Sequence, residues 1–185
     1  VIVLMIISTV YIRCKNEADA FADDLPRHTI LFLSVTLFSV EAYVFYNSYF
    51  ITGWDSWEIV STALTIRSEG YDGMYGYYYC SYPNNLLLTW IYTSLFRLNT
   101  YAGDSIHYAY FVILFQCIGA SFAGALLFVI VKDLTKAIYG YAVWLVYALH
   151  VALSPWIFIL YSDAAILCLP LLILRIYQKT KDKRW

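Results

Sequence analysis

The feature that most constrains this chain is the stretch from residue 105 to residue 131, which carries no Asp, Glu, Lys or Arg. As a helix, at about 1.5 Å of rise per residue, it exceeds the roughly 30 Å hydrocarbon core of a bilayer. A run this long and this apolar leaves no charged face for water and fits lipid. Residues 29 to 50, with Glu41 as their one charge, and residues 137 to 161, uncharged but interrupted by Pro155, meet the same length test. A fourth run, 164 to 178, is shorter and carries Pro170. Composition agrees, with 62% hydrophobic and 14% charged residues, where soluble domains carry roughly a quarter charged. The expected class is all-α: a polytopic transmembrane helix bundle embedded in a lipid bilayer.

The formal net charge of -1 leaves no basic surface, so nucleic acid is not an expected partner. Cys14, Cys80, Cys117 and Cys168 stand far apart without a CxxC pair, which supports neither a disulfide framework nor a metal site. No cofactor is expected, and a divalent metal has no support in the sequence. Residues 1 to 12 are apolar but lack the charged start and small-residue cleavage site of a signal peptide. They read as the tail of a preceding transmembrane helix, so residues 1 to 185 are expected to be a single transmembrane domain cut from a larger membrane protein.

Charge sets the expected orientation. The turn holding Lys132 and Lys136 and the terminal cluster Lys179, Lys181, Lys183 and Arg184 belong on the cytoplasmic side by the positive-inside rule. The 105 to 131 helix then enters from the other face, and residues 51 to 104 form one large external loop. The apolar segment Asn84 to Leu98 spans only about 22 Å as a helix and is expected to lie in the headgroup layer rather than cross. Residues 56 to 69 also read as an amphipathic helix, with Glu58, Thr62, Thr65 and Glu69 on one stripe, Trp57, Val60 and Leu64 on another, and Gly70 closing it. The loop is acidic and aromatic, with Arg67 and Arg97 as its cations.

Several polar residues stand where chemistry is possible. Asp55, in Gly53-Trp54-Asp55-Ser56-Trp57-Glu58, fits first a D-x-x-E helix cap with Glu58, and it is also placed for a general base at the water interface. Tyr77 to Asn85 (Tyr-Tyr-Tyr-Cys-Ser-Tyr-Pro-Asn-Asn) combine aromatic faces with two amides, suiting a sugar or a polar headgroup. The same string suits a helix start at Pro83 beneath an aromatic belt. Asp163, in Tyr161-Ser162-Asp163, falls where the chain returns to the external face, as a site acid or a helix cap. Glu41 is the one charge deep in a span and serves either a proton relay or helix pairing. Gly119, Ala120, Ala123 and Gly124 form a close-packing face.

The order of these pieces resembles the polyprenyl-phosphate-sugar-dependent glycosyltransferases of the GT-C superfamily, near the protein O-mannosyltransferase and aminoarabinose-transferase-like branch. Asp55 matches the acid early in that family's first external loop, and Tyr82-Pro83-Asn84-Asn85 matches its proline string. Tyr161-Ser162-Asp163 looks like the tyrosine-x-aspartate of bacterial members. The resemblance implies an inverting transfer of a sugar from a polyprenyl-phosphate donor to an acceptor on the non-cytoplasmic face of a bacterial cell membrane. It assigns Asp55 as the base and Tyr82, Asn84, Asn85, Tyr161 and Asp163 to substrate binding. Asp55-Ser56 stands where many eukaryotic members carry two acids, and the chain is long enough for only the first part of such an enzyme. From the residues alone, Glu41 and Asp163 also fit a polar path in a transporter or channel segment, and the whole also fits an assembly subunit.

Overall fold

The computed structural model describes residues 28–50, 52–53, 55–70, 76–102 and 108–182, and they are helical almost throughout. The apolar run 1 to 12, Cys14, His107, Lys183 and Arg184 lie outside the described residues. In chain order the α-helices are α1 (Thr29–Ser48), α2 (Asp55–Glu69), α3 (Gly76–Ser81), α4 (Leu86–Ala102), α5 (Ala109–Leu134), α6 (Ala137–Tyr147), α7 (Ser162–Ile166) and α8 (Cys168–Asp182). Short 3-10 turns cover Pro83–Asn85 and Pro155–Phe158, and a π-helical turn covers Ala148–Ala152.

Among the described residues two helices, α1 and α5, are long and apolar enough to cross a membrane. At 20 and 26 residues they reach about 30 and 39 Å. They pack antiparallel: the Tyr46 and Tyr110 rings lie 5.1 Å apart, Glu41 meets Ser121, and Leu37 meets Gly124. The small-residue face of α5 makes this approach possible. A Cβ on Gly124 would stand 3.0 to 3.1 Å from the Tyr147 ring and Leu37, and the Tyr147 hydroxyl donates to the Ala120 carbonyl at 2.8 Å. The opposite side of α1 is bare: Leu31, Phe32 and Tyr43 are 63%, 68% and 74% exposed.

The run 137 to 161 is not one spanning helix. α6 returns antiparallel along α5, with Gly140 against the Phe128 backbone, but regular turns stop at Tyr147. Together with its π-turn the rod is at most about 24 Å long, short of a crossing. Pro155 accounts for the break ahead of it, since it has no N–H to give to a preceding turn. Pro170, by contrast, falls in the first turn of α8, where no N–H is needed. Arg175 on α8 pairs with Asp133 at the end of α5 at 2.6 Å. That pair brings Lys132, Lys136 and the α8 lysines to one end of the bundle.

α2 and α4 pack side by side through Ile59, Val60, Ala63, Leu88, Tyr92 and Phe96. The stripe expected on α2 needs correction. Its buried face is Ser56, Ile59, Val60, Thr62, Ala63 and Ile66, while Trp57 is exposed. Thr62, expected on the outer polar stripe, turns inward with the apolar set. Gly70 does close the helix, at φ 79 with its N–H on Ile66 O, a conformation that favours glycine.

Candidate functional site

The starts of α2, α4 and α7 meet at the end of the bundle opposite the lysines. α2 begins at Asp55 itself, and Asp55 and Glu58 both stand in its first turn, where partial positive charge on free N–H groups favours acids. Pro83 opens the 3-10 turn that leads into α4, so the helix-start role of the proline string is realised. α7 starts just after Tyr161, with Asp163 in its first turn.

Asn85 is the hub of the polar contacts. It is nearly fully buried, its Nδ2 donates to the Tyr78 hydroxyl at 2.7 Å, and its Oδ1 accepts from Asn84 at 3.1 Å and from the Tyr161 hydroxyl at 3.4 Å. The hydroxyls of Tyr78 and Tyr161 both also reach the Asp55 carboxylate. Burial pushes both phenols above their ordinary range, and the neighbouring Asp55 carboxylate raises them further. Both therefore stay protonated: Tyr78, whose oxygen accepts from Asn85, keeps its hydrogen free for Asp55, while the single hydrogen of Tyr161 goes to Asn85.

Asp55, Ser56, Tyr161 and Asp163 line a cavity of about 280 Å³ together with Thr52, Trp156, Ile157 and Ile159. A second cavity of about 560 Å³ adjoins it, sharing Thr52, Trp156 and Ile159 and extending to Phe50 and Pro155. Trp156, 76% exposed, stands between the two. The two cavities thus share one rim, and both carboxylates lie in the smaller.

Of the residues singled out in the sequence, Asp55, Tyr161 and Asp163 come together in the cavity, and Asn85 joins them through two tyrosine hydroxyls. Asn84 and Tyr82 are exposed and touch the cluster from outside, Asn84 through Asn85 and Tyr82 through its ring against Tyr78 at 5.1 Å. Glu41 is elsewhere, fully buried and bonded by Ser121 Oγ at 2.6 Å. Arg67 lies near the far end of α2, about 18 Å along the axis from Asp55, and Arg97 lies as far beyond Asn85 on α4. Neither can place a guanidinium over this cavity. Among the described residues no group of three or more His, Cys, Asp or Glu is arranged to hold a metal ion.

Three contributors escaped the sequence: Tyr78 as the link to Asp55, Ser56 and Gln116. Gln116 carried a signal, being a long amide inside an otherwise uncharged span, where such groups bond to protein. Ser56 carried none beyond its place next to Asp55. No family model, no curated protein and no solved structure matches the chain.

Proposed function

We propose that this chain is the first part of a multi-pass membrane glycosyltransferase that moves a sugar, with inversion, from a polyprenyl-phosphate donor to an acceptor hydroxyl at the non-cytoplasmic face. The observation that carries the proposal is the Asp55 carboxylate, sharing a cavity with Tyr161 and Asp163 and neighboured by the Tyr78 and Tyr161 phenols. A carboxylate in a half-buried cleft, with room beside it for an acceptor, is suited to take the proton of an attacking hydroxyl. Asn85, Tyr161 and Asp163 surround it with the donors and acceptors that hold a polyol.

The membrane setting has its own support. α1 presents large apolar side chains to its surroundings along its length, and a soluble protein seldom leaves so wide an apolar face bare. The lysines gathered at one end and the carboxylate cavity at the other fit a cytoplasmic and an external end, separated by the 26 residues of α5. A donor of this class keeps its isoprenoid in the bilayer and its phosphate at the boundary, close to where the cavity would sit. The phosphate's counter-charge is not supplied by Arg67 or Arg97, whose positions are too remote, and on this proposal it comes from elsewhere in the enzyme. A transport path through Glu41 and Asp163 has less support, because Glu41 is sealed between α1 and α5.

The test is sugar transfer from a polyprenyl-phosphate donor by the full-length protein in vesicles. Asp55→Asn keeps the shape and removes the base, and transfer should fall by about 100-fold or more at unchanged expression. Undiminished transfer by Asp55→Asn would return Asp55 to the start of α2 as its whole role.

A further inference from the structure

Between the 3-10 turn Pro155–Phe158 and α7, residues 159 to 161 leave the helix: Ile159 and Tyr161 are extended, a tight turn at Leu160 is closed by the Tyr161 N–H on Ile159 O at 2.8 Å, and Ile159 bridges Phe50 in parallel. Non-helical backbone inside a helical bundle has no ladder to satisfy it, so its remaining polar groups must be met individually. Here side chains meet three consecutive carbonyls. Gln116 Nε2 donates to Ile159 O at 2.7 Å and to Tyr161 O at 2.8 Å, and Ser56 Oγ donates to Leu160 O at 3.0 Å. Gln116 is fully buried on α5. Both its amide hydrogens are used, while its Oε1 has no partner among the described residues. The opposite amide orientation would set an oxygen against two carbonyl oxygens, so the bonding fixes the assignment.

We infer that Gln116 is a positioning residue: from inside α5, its two N–H bonds tie down both ends of the 159–161 strap and so set where Tyr161 and Asp163 stand relative to Asp55. The strap's neighbours show why this reaches the cavity. Ile159 and Tyr161 line it directly, the Tyr161 hydroxyl reaches both Asn85 and Asp55, and Asp163 follows two residues later. Without the two donors the strap can wind toward α7, turning Tyr161 away from Asp55. A displacement of about 1 Å at such a point is enough for about a 100-fold loss of rate.

Gln116→Glu tests this with a side chain of the same shape that lacks the two N–H donors. The first measurement needs no activity. In full-length protein with Cys14→Ser and Cys80→Ser, the pair Phe50→Cys and Ile159→Cys sits at neighbouring bridge positions, whose spacing of about 4.8 Å suits a disulfide. Gln116→Glu should slow its oxidative closure by about tenfold or more, at unchanged helix content and monodispersity. The second measurement rests on the glycosyltransferase proposal. Gln116→Glu in the reduced pair should lower kcat by about 100-fold with KM within about threefold, and closing the disulfide should restore kcat at least tenfold. Unchanged closure overturns the inference, as does a loss of transfer that the closed disulfide leaves in place. If the full-length protein transfers no sugar from any polyprenyl-phosphate donor, the proposed function fails, while the closure rate still decides the role of Gln116. Should Gln116→Glu fail to assemble, or keep the strap through the one O–H of a protonated carboxyl, Gln116→Leu, neutral and without any donor, carries the same two measurements.

Discussion

In the seam between α1 and α5, buried Glu41 takes a hydrogen bond from Ser121, and the backbones on either side are regular helix that needs nothing from it. At the end of α6, buried Gln116 and Ser56 bond to backbone that has left the helix. Both regions place polar side chains in apolar surroundings, yet the bonds do different work. In the seam one polar side chain satisfies another, and both are removable together. In the strap a side chain satisfies main chain, which no substitution can remove. Packing should therefore dominate the seam, and hydrogen bonding should dominate the strap.

The largest effect should come from volume in the seam. A Cβ at Gly124 already meets the Tyr147 ring and Leu37 at 3.0 to 3.1 Å, and those two contacts come from different helices, so neither side can yield freely. Gly124→Val should lower stability by about 3 kcal/mol or more, measured by reversible unfolding in detergent micelles. A change below about 1 kcal/mol would mean that the seam is looser than its contacts indicate, and the contrast with the strap would weaken.

Ser56→Ala addresses the strap. It leaves the Leu160 carbonyl, in a fully buried residue, without the hydroxyl that now bonds it, at a cost of about 1 to 3 kcal/mol. The same substitution leaves Asp55 and Tyr161 in place chemically, so a fall in transfer larger than the fall in stability would trace to strap geometry.

Glu41→Leu is the matching change in the seam, and its effect should be under about 1 kcal/mol in either direction. One carboxyl oxygen of Glu41 has no partner among the described residues, so the pair contributes less than a fully satisfied one. An apolar side chain of similar volume restores packing, and the Ser121 hydroxyl can turn to a carbonyl one helical turn back. A loss of several kcal/mol on this substitution would break the comparison outright.

The two regions were also unequally legible in the sequence. α1 and α5 follow from apolar runs of bilayer length, with one charge in the first and none in the second, a local property of composition. Gly70 and Pro83 announced helix boundaries because each acts through its own backbone. Pro155 announced a break, but not the π-turn that begins at Ala148 nor the strap beyond it, which is held by Gln116, 43 residues from one of its acceptors, and by Ser56, 104 residues from its own. Such partners leave no periodic trace. The face of α2 was misjudged for a related reason. Spacing grouped Thr62 with Glu58 and Glu69, whereas packing against α4 selected Ile59, Ala63 and Ile66 and drew Thr62 in with them. For the site, Asp55, Asn85, Tyr161 and Asp163 were legible as polar residues at the ends of apolar runs. The link through Tyr78 was hidden among four nearby tyrosines that composition cannot rank.

The smallest effect should be visible in the titration of Tyr161, whose hydroxyl joins the strap to the start of α2. Burial first, then the Asp55 carboxylate, raise this phenol above the ordinary value of 10.0. A folded-state value raised above the unfolded one gives stability that is complete below pH 10.0 and is lost as pH rises through the folded value. Wild type should accordingly lose stability above pH 10.0 slightly faster than Tyr161→Phe. The phenolate absorbance missing from Tyr161→Phe should emerge only above pH 10.0 in the wild-type difference spectrum. Asp55→Asn should move that emergence back toward 10.0 without abolishing it, because burial is the larger cause and stays. If the difference spectrum already centres at 10.0 in wild type, Tyr161 is neither buried nor beside Asp55, and the strap does not deliver it to the cavity.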